Sequence, residues 1–367
     1  MIDRRKLLGA ATLGAAGLAA TACSQSTETA DGVASPAIRR KKTRLTMTTT
    51  WPKDLPGLGA AANRVAERVA ELSDGQIEIQ VYAAGELVPA FEAFDAVASG
   101  NADMYHGADY YWQSKSKAYN FFTAVPMGMT AAEAMGWIDF GGGQALWEEL
   151  SGQYGIIAFQ GANTGHQMGG WFRKEINSLD DFRGLKMRIP GLGGDVIREL
   201  GGAAEALPGN EIYQALQTGR IDATEWVNPY NDLAFGLHKA AKYYYYPGWH
   251  EPGTTLECFL NKEIFDSLPE DLQNIITGAA KIANLDMLSE YIARNNEALK
   301  ILKDKHKVNI MPLPDEVLEM LHNISNEVIS EIAKKDKFSM QVYDSYKNFQ
   351  KKTSEWSKIS IKSYLNI

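Results

Sequence analysis

Leu58, Ala62, Val65, Val69 and Leu72 recur at three- and four-residue spacing as far as Asp74-Gly75, which predicts an amphipathic helix closed by a turn. Before it, Arg44-Leu45-Thr46-Met47-Thr48 reads as a strand, and after it Ile77, Ile79 and Val81 alternate with Gln76, Glu78 and Gln80 as another. Strand, helix, strand is a βαβ unit, and the alternation continues. A helix is expected around Phe91 to Val97, a short strand over Ala102 to Tyr105, and helices on either side of Gly141-Gly142-Gly143. A second series opens at Gly155 to Phe159, with further strands at Leu185 to Ile189 and Ala223 to Val227, a helix over Glu211 to Gly219 and a half-buried strand at Tyr243 to Tyr246. From Leu268 to about Lys305 the pattern is continuously helical; a strand at Val308 to Met311 and helices at Asp315 to Ala333 and from Phe338 onward follow. This order predicts an α/β fold with helices on the faces of its sheets, and in such sheets ligands sit beyond the carboxyl ends of the strands.

Composition fits two sizeable cores: 367 residues, 45% hydrophobic and 22% charged. A formal net charge of -8 argues against a nucleic-acid partner, and the one basic run, Arg39-Arg40-Lys41-Lys42 with Arg44, reads as a solvated linker. Residues 1–23 have the layout of an export signal, with Arg4-Arg5-Lys6 ahead of Leu7-Leu8 and an apolar stretch too short to span a membrane. Asp3-Arg4-Arg5-Lys6-Leu7-Leu8 resembles a twin-arginine motif, and an ordinary secretory leader is the other reading. Leu18-Ala19-Ala20-Thr21-Ala22-Cys23 offers a lipobox that would anchor the chain by lipid at Cys23, with plain cleavage as its rival because Ala20 stands where Leu is commonest. Beyond the leader only Cys258 remains, within the apolar run Thr255 to Leu260, so the mature chain has no internal disulfide and the thiol reads as buried and inert.

Enzyme signatures are absent: there is no Gly-x-Ser-x-Gly elbow, no phosphate-binding P-loop and no His-Glu-x-x-His. Gly191-Leu192-Gly193-Gly194 fails the dinucleotide fingerprint, and the six histidines lack the spacing of a helical or loop metal site. The positive signal is Gly184-Leu185-Lys186-Met187-Arg188-Ile189-Pro190-Gly191, an alternating strand that ends on an arginine. A guanidinium there offers a planar fork for a carboxylate; a surface ion pair with Asp180 or Asp181 is the blander reading. Further on, Asp222-Ala223-Thr224-Glu225-Trp226-Val227-Asn228-Pro229 places a carboxylate, an indole and an amide at a strand end.

Taken in order with Ala98-Ser99-Gly100-Asn101-Ala102-Asp103, these stretches resemble the extracytoplasmic solute-binding receptors (DctP type) of tripartite ATP-independent periplasmic (TRAP) transporters, over about residues 44 to 340. The wording of Glu225 to Pro229, Trp249-His250-Glu251-Pro252-Gly253 and Asp109-Tyr110-Tyr111-Trp112 is most similar to the branch that binds 2-oxo acids with a cation. The resemblance implies a periplasmic-binding-protein fold of two lobes joined by a hinge and braced by the long helix after Leu268. Lobe I would hold 44–164 with 254–295, lobe II 165–253 with 296–340, and C-terminal helices 341–367. It further implies that Arg188 holds the ligand carboxylate, that Gln167 and Asn228 contact the ligand, and that Glu225, the backbone of Trp226 and Glu251 hold Na⁺ or Ca²⁺. Tyr110, Tyr111, Trp112, Trp226 and Trp249 could wall a small pocket, and Tyr111 is the candidate ligand contact among them, with Tyr110 in its place if the strand register is off by one. Oxygen donors suit those hard cations. The expected protein is then no enzyme but a periplasmic receptor that carries a small monocarboxylate, a 2-oxo acid such as pyruvate or else lactate, to a membrane permease. A homodimer through the C-terminal helix is one expectation, with Tyr343, Tyr346 and Phe349 packing back on their own lobe as the alternative. An exported lipoprotein serving another transporter or a sensor, and a twin-arginine-exported enzyme, are the competing functions.

Overall fold

The computed structural model describes residues 42–367. The export signal, the question of lipid at Cys23 and the linker as far as residue 41 lie outside the described residues. Folded structure begins one residue earlier than the sequence suggested, because Thr43 already pairs with Ile77. The strands are β1 (Thr43–Thr49), β2 (Ile77–Tyr82), β3 (Met104–Gly107), β4 (Ile156–Asn163), β5 (Gly170–Phe172), β6 (Lys186–Arg188), β7 (Ala203–Glu205), β8 (Ala223–Thr224), β9 (Tyr243–Tyr246), β10 (Thr255–Asn261) and β11 (Asn309–Pro312). They form two mixed sheets, one in the order β2-β1-β3-β10-β4 and one in the order β11-β9-β5-β8-β6-β7.

In the first sheet β1 runs parallel to β2 and β3, while β10, returning from late in the chain, is antiparallel to both β3 and β4. The helix Leu58–Leu72 lays Leu58, Ala61, Ala62, Val65 and Val69 on this sheet. Each large aliphatic side chain so buried contributes about 1.5–3 kcal/mol. The opposite face packs on an aromatic core in which Phe122 stacks between Trp137 and Trp147, each at a centroid distance of 5.3 Å.

The chain crosses from the first sheet to the second after β4 and back after β9. The two crossings run side by side: Thr164 N–H donates to Thr254 O at 3.0 Å and Gly248 N–H to Gln167 O at 3.0 Å. A Cβ at Gly248 would meet that carbonyl at 2.3 Å, so only glycine permits the approach. A third connection is the helix Glu270–Asp304. Its Ala279, Ala280 and Ala283 pack with Leu45, Met47 and Phe159 of the first sheet, and its Met287, Tyr291 and Leu302 with Trp171 and Tyr244 of the second. The helix thus braces both sheets.

Two local expectations need correction. The strand foreseen over Ala223 to Val227 stops at Thr224. Past it the backbone turns, with Val227 N–H donating to the Asp232 carboxylate at 3.1 Å ahead of a helix, Pro229–Phe235, that starts on proline. Tyr110 and Tyr111 lie in a 3₁₀ turn, Asp109–Trp112, and not on a strand. Gly191–Glu199 is helical despite its glycines, because it packs too closely for side chains: a Cβ at Gly193 would meet Ile189 at 2.8 Å and His250 at 3.0 Å.

At the C-terminus, the helix Lys337–Ser357 packs on its own chain. Tyr346 is buried against Phe121 and Trp137, and its hydroxyl accepts from Met129 N–H at 2.8 Å. Beyond Ser354 the last turns leave Trp356, Ile359, Tyr364 and Leu365 more than half exposed.

Candidate functional site

Arg188 is the last residue of β6, 1% exposed, and Glu225 follows β8, the strand beside it; Glu225 N–H donates to Arg188 O at 3.2 Å. That register fixes their side chains against one another, and the Arg188 guanidinium forms an ion pair with the Glu225 carboxylate. It also donates from Nε to Leu207 O at 3.2 Å, from Nη1 to Glu225 O at 3.3 Å and from Nη2 to the Tyr111 hydroxyl at 3.2 Å. The indole of Trp226, stacked on Phe235, lies beneath it at 5.3 Å. The bland alternative of a surface pair with Asp180 or Asp181 is not what the fold builds: Asp180 pairs with Arg183 and Asp181 caps the turn at Ser178.

Gln167 and Glu251 come from the two side-by-side crossings. Gln167 Nε2 donates to Glu251 Oε2 at 2.7 Å, to Thr254 Oγ1 at 3.0 Å and to Thr164 Oγ1 at 3.2 Å. Asn228, next to the turn after β8, donates from Nδ2 to Thr164 O at 3.1 Å. Residues expected from the sequence therefore converge from β6, the end of β8, both crossings and the turn after β3.

His250 is the residue that sequence reasoning left without a role. It is buried, and its Nε2 stands 3.5 Å from Glu225 Oε2. Ligating atoms of Glu225, His250 and Glu251 all lie within 4.8 Å of one another. A lone histidine with no spaced partner gives no sequence signal, and Thr164, Thr254 and the Leu207 carbonyl give none either.

Electrostatics single the place out. Burial works against the charge on Arg188, but Glu225, Tyr111, Tyr110 and Glu251 more than offset it, and its affinity for its proton rises. Burial, then the negative charge of Glu225, pushes Glu251 up to about 7. Burial raises Tyr111 to about 12, with Arg188 opposing.

The donor set suits a hard cation. Glu225 Oε2, Asn228 Oδ1 and Gln167 Oε1 are buried oxygens without a hydrogen-bond donor. Oxygens in that condition are what Na⁺ or Ca²⁺ coordinates, and a cation beside them would offset the two buried carboxylates Glu225 and Glu251.

Known proteins resemble the chain along its length. It is 43% identical to a monocarboxylate 2-oxoacid-binding periplasmic protein of Nostoc sp., over 100% of this chain and 98% of that one. A TRAP periplasmic solute-binding protein of Pseudoalteromonas atlantica with bound sodium and pyruvate is 43% identical, with a TM-score of 0.86 over 89% of this chain and 99% of that one. A TRAP transporter solute-binding protein of Bordetella bronchiseptica, a mixed-occupancy dimer with calcium and picolinate, is 35% identical, with a TM-score of 0.87 over 89% of this chain and 97% of that one. The profile of the DctP family, bacterial extracellular solute-binding protein family 7, matches residues 47–336. The chain therefore belongs to the DctP family of bacterial extracellular solute-binding proteins.

Proposed function

We propose that this chain is the receptor of a TRAP transporter that takes up a monocarboxylate 2-oxo acid such as pyruvate together with Na⁺ or Ca²⁺ and delivers it to a membrane permease. The observation that carries the reading is the fully buried Arg188–Glu225 pair, with donor-free oxygens of Glu225, Gln167 and Asn228 around it, at the place where the chain crosses between its sheets. The Nostoc, Pseudoalteromonas and Bordetella relatives support the ligand class and the cation.

The ligand carboxylate takes the guanidinium fork of Arg188, in part in place of Glu225. Glu225, the Trp226 carbonyl and Glu251 would hold the cation, with His250 in reach as a further donor, and its charge would offset the two buried carboxylates. Gln167 and Asn228 supply amide contacts, and the Tyr111 hydroxyl closes the site from the first sheet's side. Opening and closing would bend the crossings at residues 164–169 and 247–254, with lobe I as 44–164 plus 254–295 and lobe II as 165–253 plus 296–340. The exposed apolar turns after Ser354 provide the surface for a second copy, giving a homodimer through the C-terminal end.

Calorimetry with pyruvate, longer 2-oxo acids, lactate and succinate tests the ligand class. Monocarboxylates binding and succinate failing to compete is the expected result; a clear preference for succinate would overturn the assignment. Pull-down of permease subunits separates the transport role from service to a sensor.

A further inference from the structure

A second polar cluster lies inside the first sheet's core, apart from the binding site. Glu257 on β10 and Asp109, which opens the turn after β3, are both fully buried. Their carboxyl groups face each other, the indole N–H of Trp147 faces Asp109, and that of Trp112 faces Glu257. The hydroxyls of Tyr105 and Tyr119 close the cluster, and the rings of Phe94 and Phe259 surround it. All four carboxyl oxygens lack a well-formed hydrogen bond.

Among the described residues, none of the groups that act on either carboxyl is a cation. His106 is a buried neighbour on β3, but its Nδ1 accepts from Trp51 Nε1 at 2.8 Å and burial holds its proton affinity down to about 4. Lys115 reaches outward to Asp95 at 2.5 Å. Burial raises the Cys258 thiol, beside Glu257, to about 12, and burial raises Tyr105 and Tyr119 too, so none of these charges at neutral pH. Two ionised carboxylates in contact within such surroundings would repel with no cation to compensate, and the poorly aligned indole N–H groups of Trp147 and Trp112 would be left to solvate both charges. One proton between them removes the repulsion, and its O–H supplies the missing donor.

We propose that Asp109 and Glu257 share one proton across the neutral range and act as a positioning pair for the turn Asp109–Trp112, which holds Tyr110 and Tyr111 against Arg188. The second half rests on the binding role given to Arg188; the first does not. The turn has Asp109 at its first residue and Tyr111 at its third, and the Tyr111 hydroxyl accepts from Arg188 Nη2 at 3.2 Å. Burial, then the neighbouring carboxyl, also raises Asp109 well above the usual range, and burial raises Glu257 likewise.

Infrared spectroscopy of the full mature protein tests the shared proton without any ligand. At about pH 9, roughly two units above Glu251 and Asp232, those two buried carboxyls have ionised. A protonated-carboxyl C=O band is expected there in the wild type and its loss in the double variant Asp109→Asn with Glu257→Gln, which leaves no carboxyl in the cluster. No band in the wild type, or a band undiminished in the folded double variant, would overturn the proposal; if the double variant does not fold, the wild-type spectrum alone decides. The positioning role is read from pyruvate affinity. Asp109→Ala should weaken it by about tenfold or more, while Asp109→Asn, whose amide supplies the hydrogen that the proton supplies, should stay within about threefold of wild type. Alanine binding as well as wild type, or asparagine as poor as alanine, would overturn it. A wild type that shows the band but binds no pyruvate at all would leave the shared proton standing and refute the ligand assignment instead.

Discussion

Replacing Arg188 by alanine perturbs both binding and stability, and the structure separates the two. Each charge-assisted hydrogen bond to a carboxylate is worth about 1.5–3 kcal/mol net, so the loss of a two-pronged grip is about 3–6 kcal/mol, or roughly 100-fold to 10,000-fold in Kd. The same change strands Glu225, 0% exposed, without its cationic partner. Breaking a buried pair from one side costs about 3–5 kcal/mol of stability. Arg188→Ala should therefore melt several degrees lower, and added Ca²⁺ should recover part of that loss by neutralising Glu225. A second variant, Arg188→Met with Glu225→Gln, removes both charges at similar volume and should regain most of the stability while still failing to bind pyruvate. Calorimetry for affinity, with circular dichroism and thermal melts for folding, reads both effects. A folded Arg188→Ala protein whose pyruvate Kd stays within about threefold of wild type would refute the reasoning.

Other consequences are open to test. Burial raises the Asp232 carboxyl to about 7, above its unfolded value, so its contribution to stability is fully present below about pH 4 and is lost as pH rises through about 7; Asp232→Asn should lower proton uptake on folding by about one, read from pH-dependent denaturation. Lys117 Nζ lies 3.1 Å from Asp195 across the two sheets' sides, both partly exposed; Lys117→Met should weaken ligand affinity by no more than about fivefold, and the difference should vanish in high salt. Phe122→Ala, which empties the slot between Trp137 and Trp147, should cost about 3–5 kcal/mol in denaturant unfolding without changing Kd measured on the folded protein.

Elements with strong periodicity were legible in the sequence. The helix at Leu58–Leu72, its flanking strands and the long helix after Leu268 stand where three- and four-residue spacing and alternation put them. The misses cluster where tertiary contacts override local pattern. Thr224 to Val227 has strand composition, yet the backbone leaves the sheet at Glu225, and the carboxylate is retained beside Arg188. Gly191–Glu199 has the composition of a loop and is helical because its glycines admit Ile189 and His250. β10 was seen only as an apolar run, since a strand inserted between β3 and β4 from some 90 residues later carries no local mark of its partners. Arg188, Gln167, Glu225, Asn228 and Glu251, which the fold brings together at the candidate site, were named only through motif order; read singly, Arg188 had a surface ion pair as its blander reading. His250 was invisible because its neighbours, Glu225 and Gly193, are distant in sequence.

The most direct test is the cation dependence of pyruvate binding, measured by calorimetry on mature protein stripped by chelation in a buffer free of Na⁺ and Ca²⁺, and repeated with each ion restored. Restoring Na⁺ or Ca²⁺ should tighten the pyruvate Kd by at least about tenfold, and Glu251→Gln should abolish that gain. Equal affinity with and without the ions would contradict a cation held between Glu225 and Glu251 beside the carboxylate on Arg188.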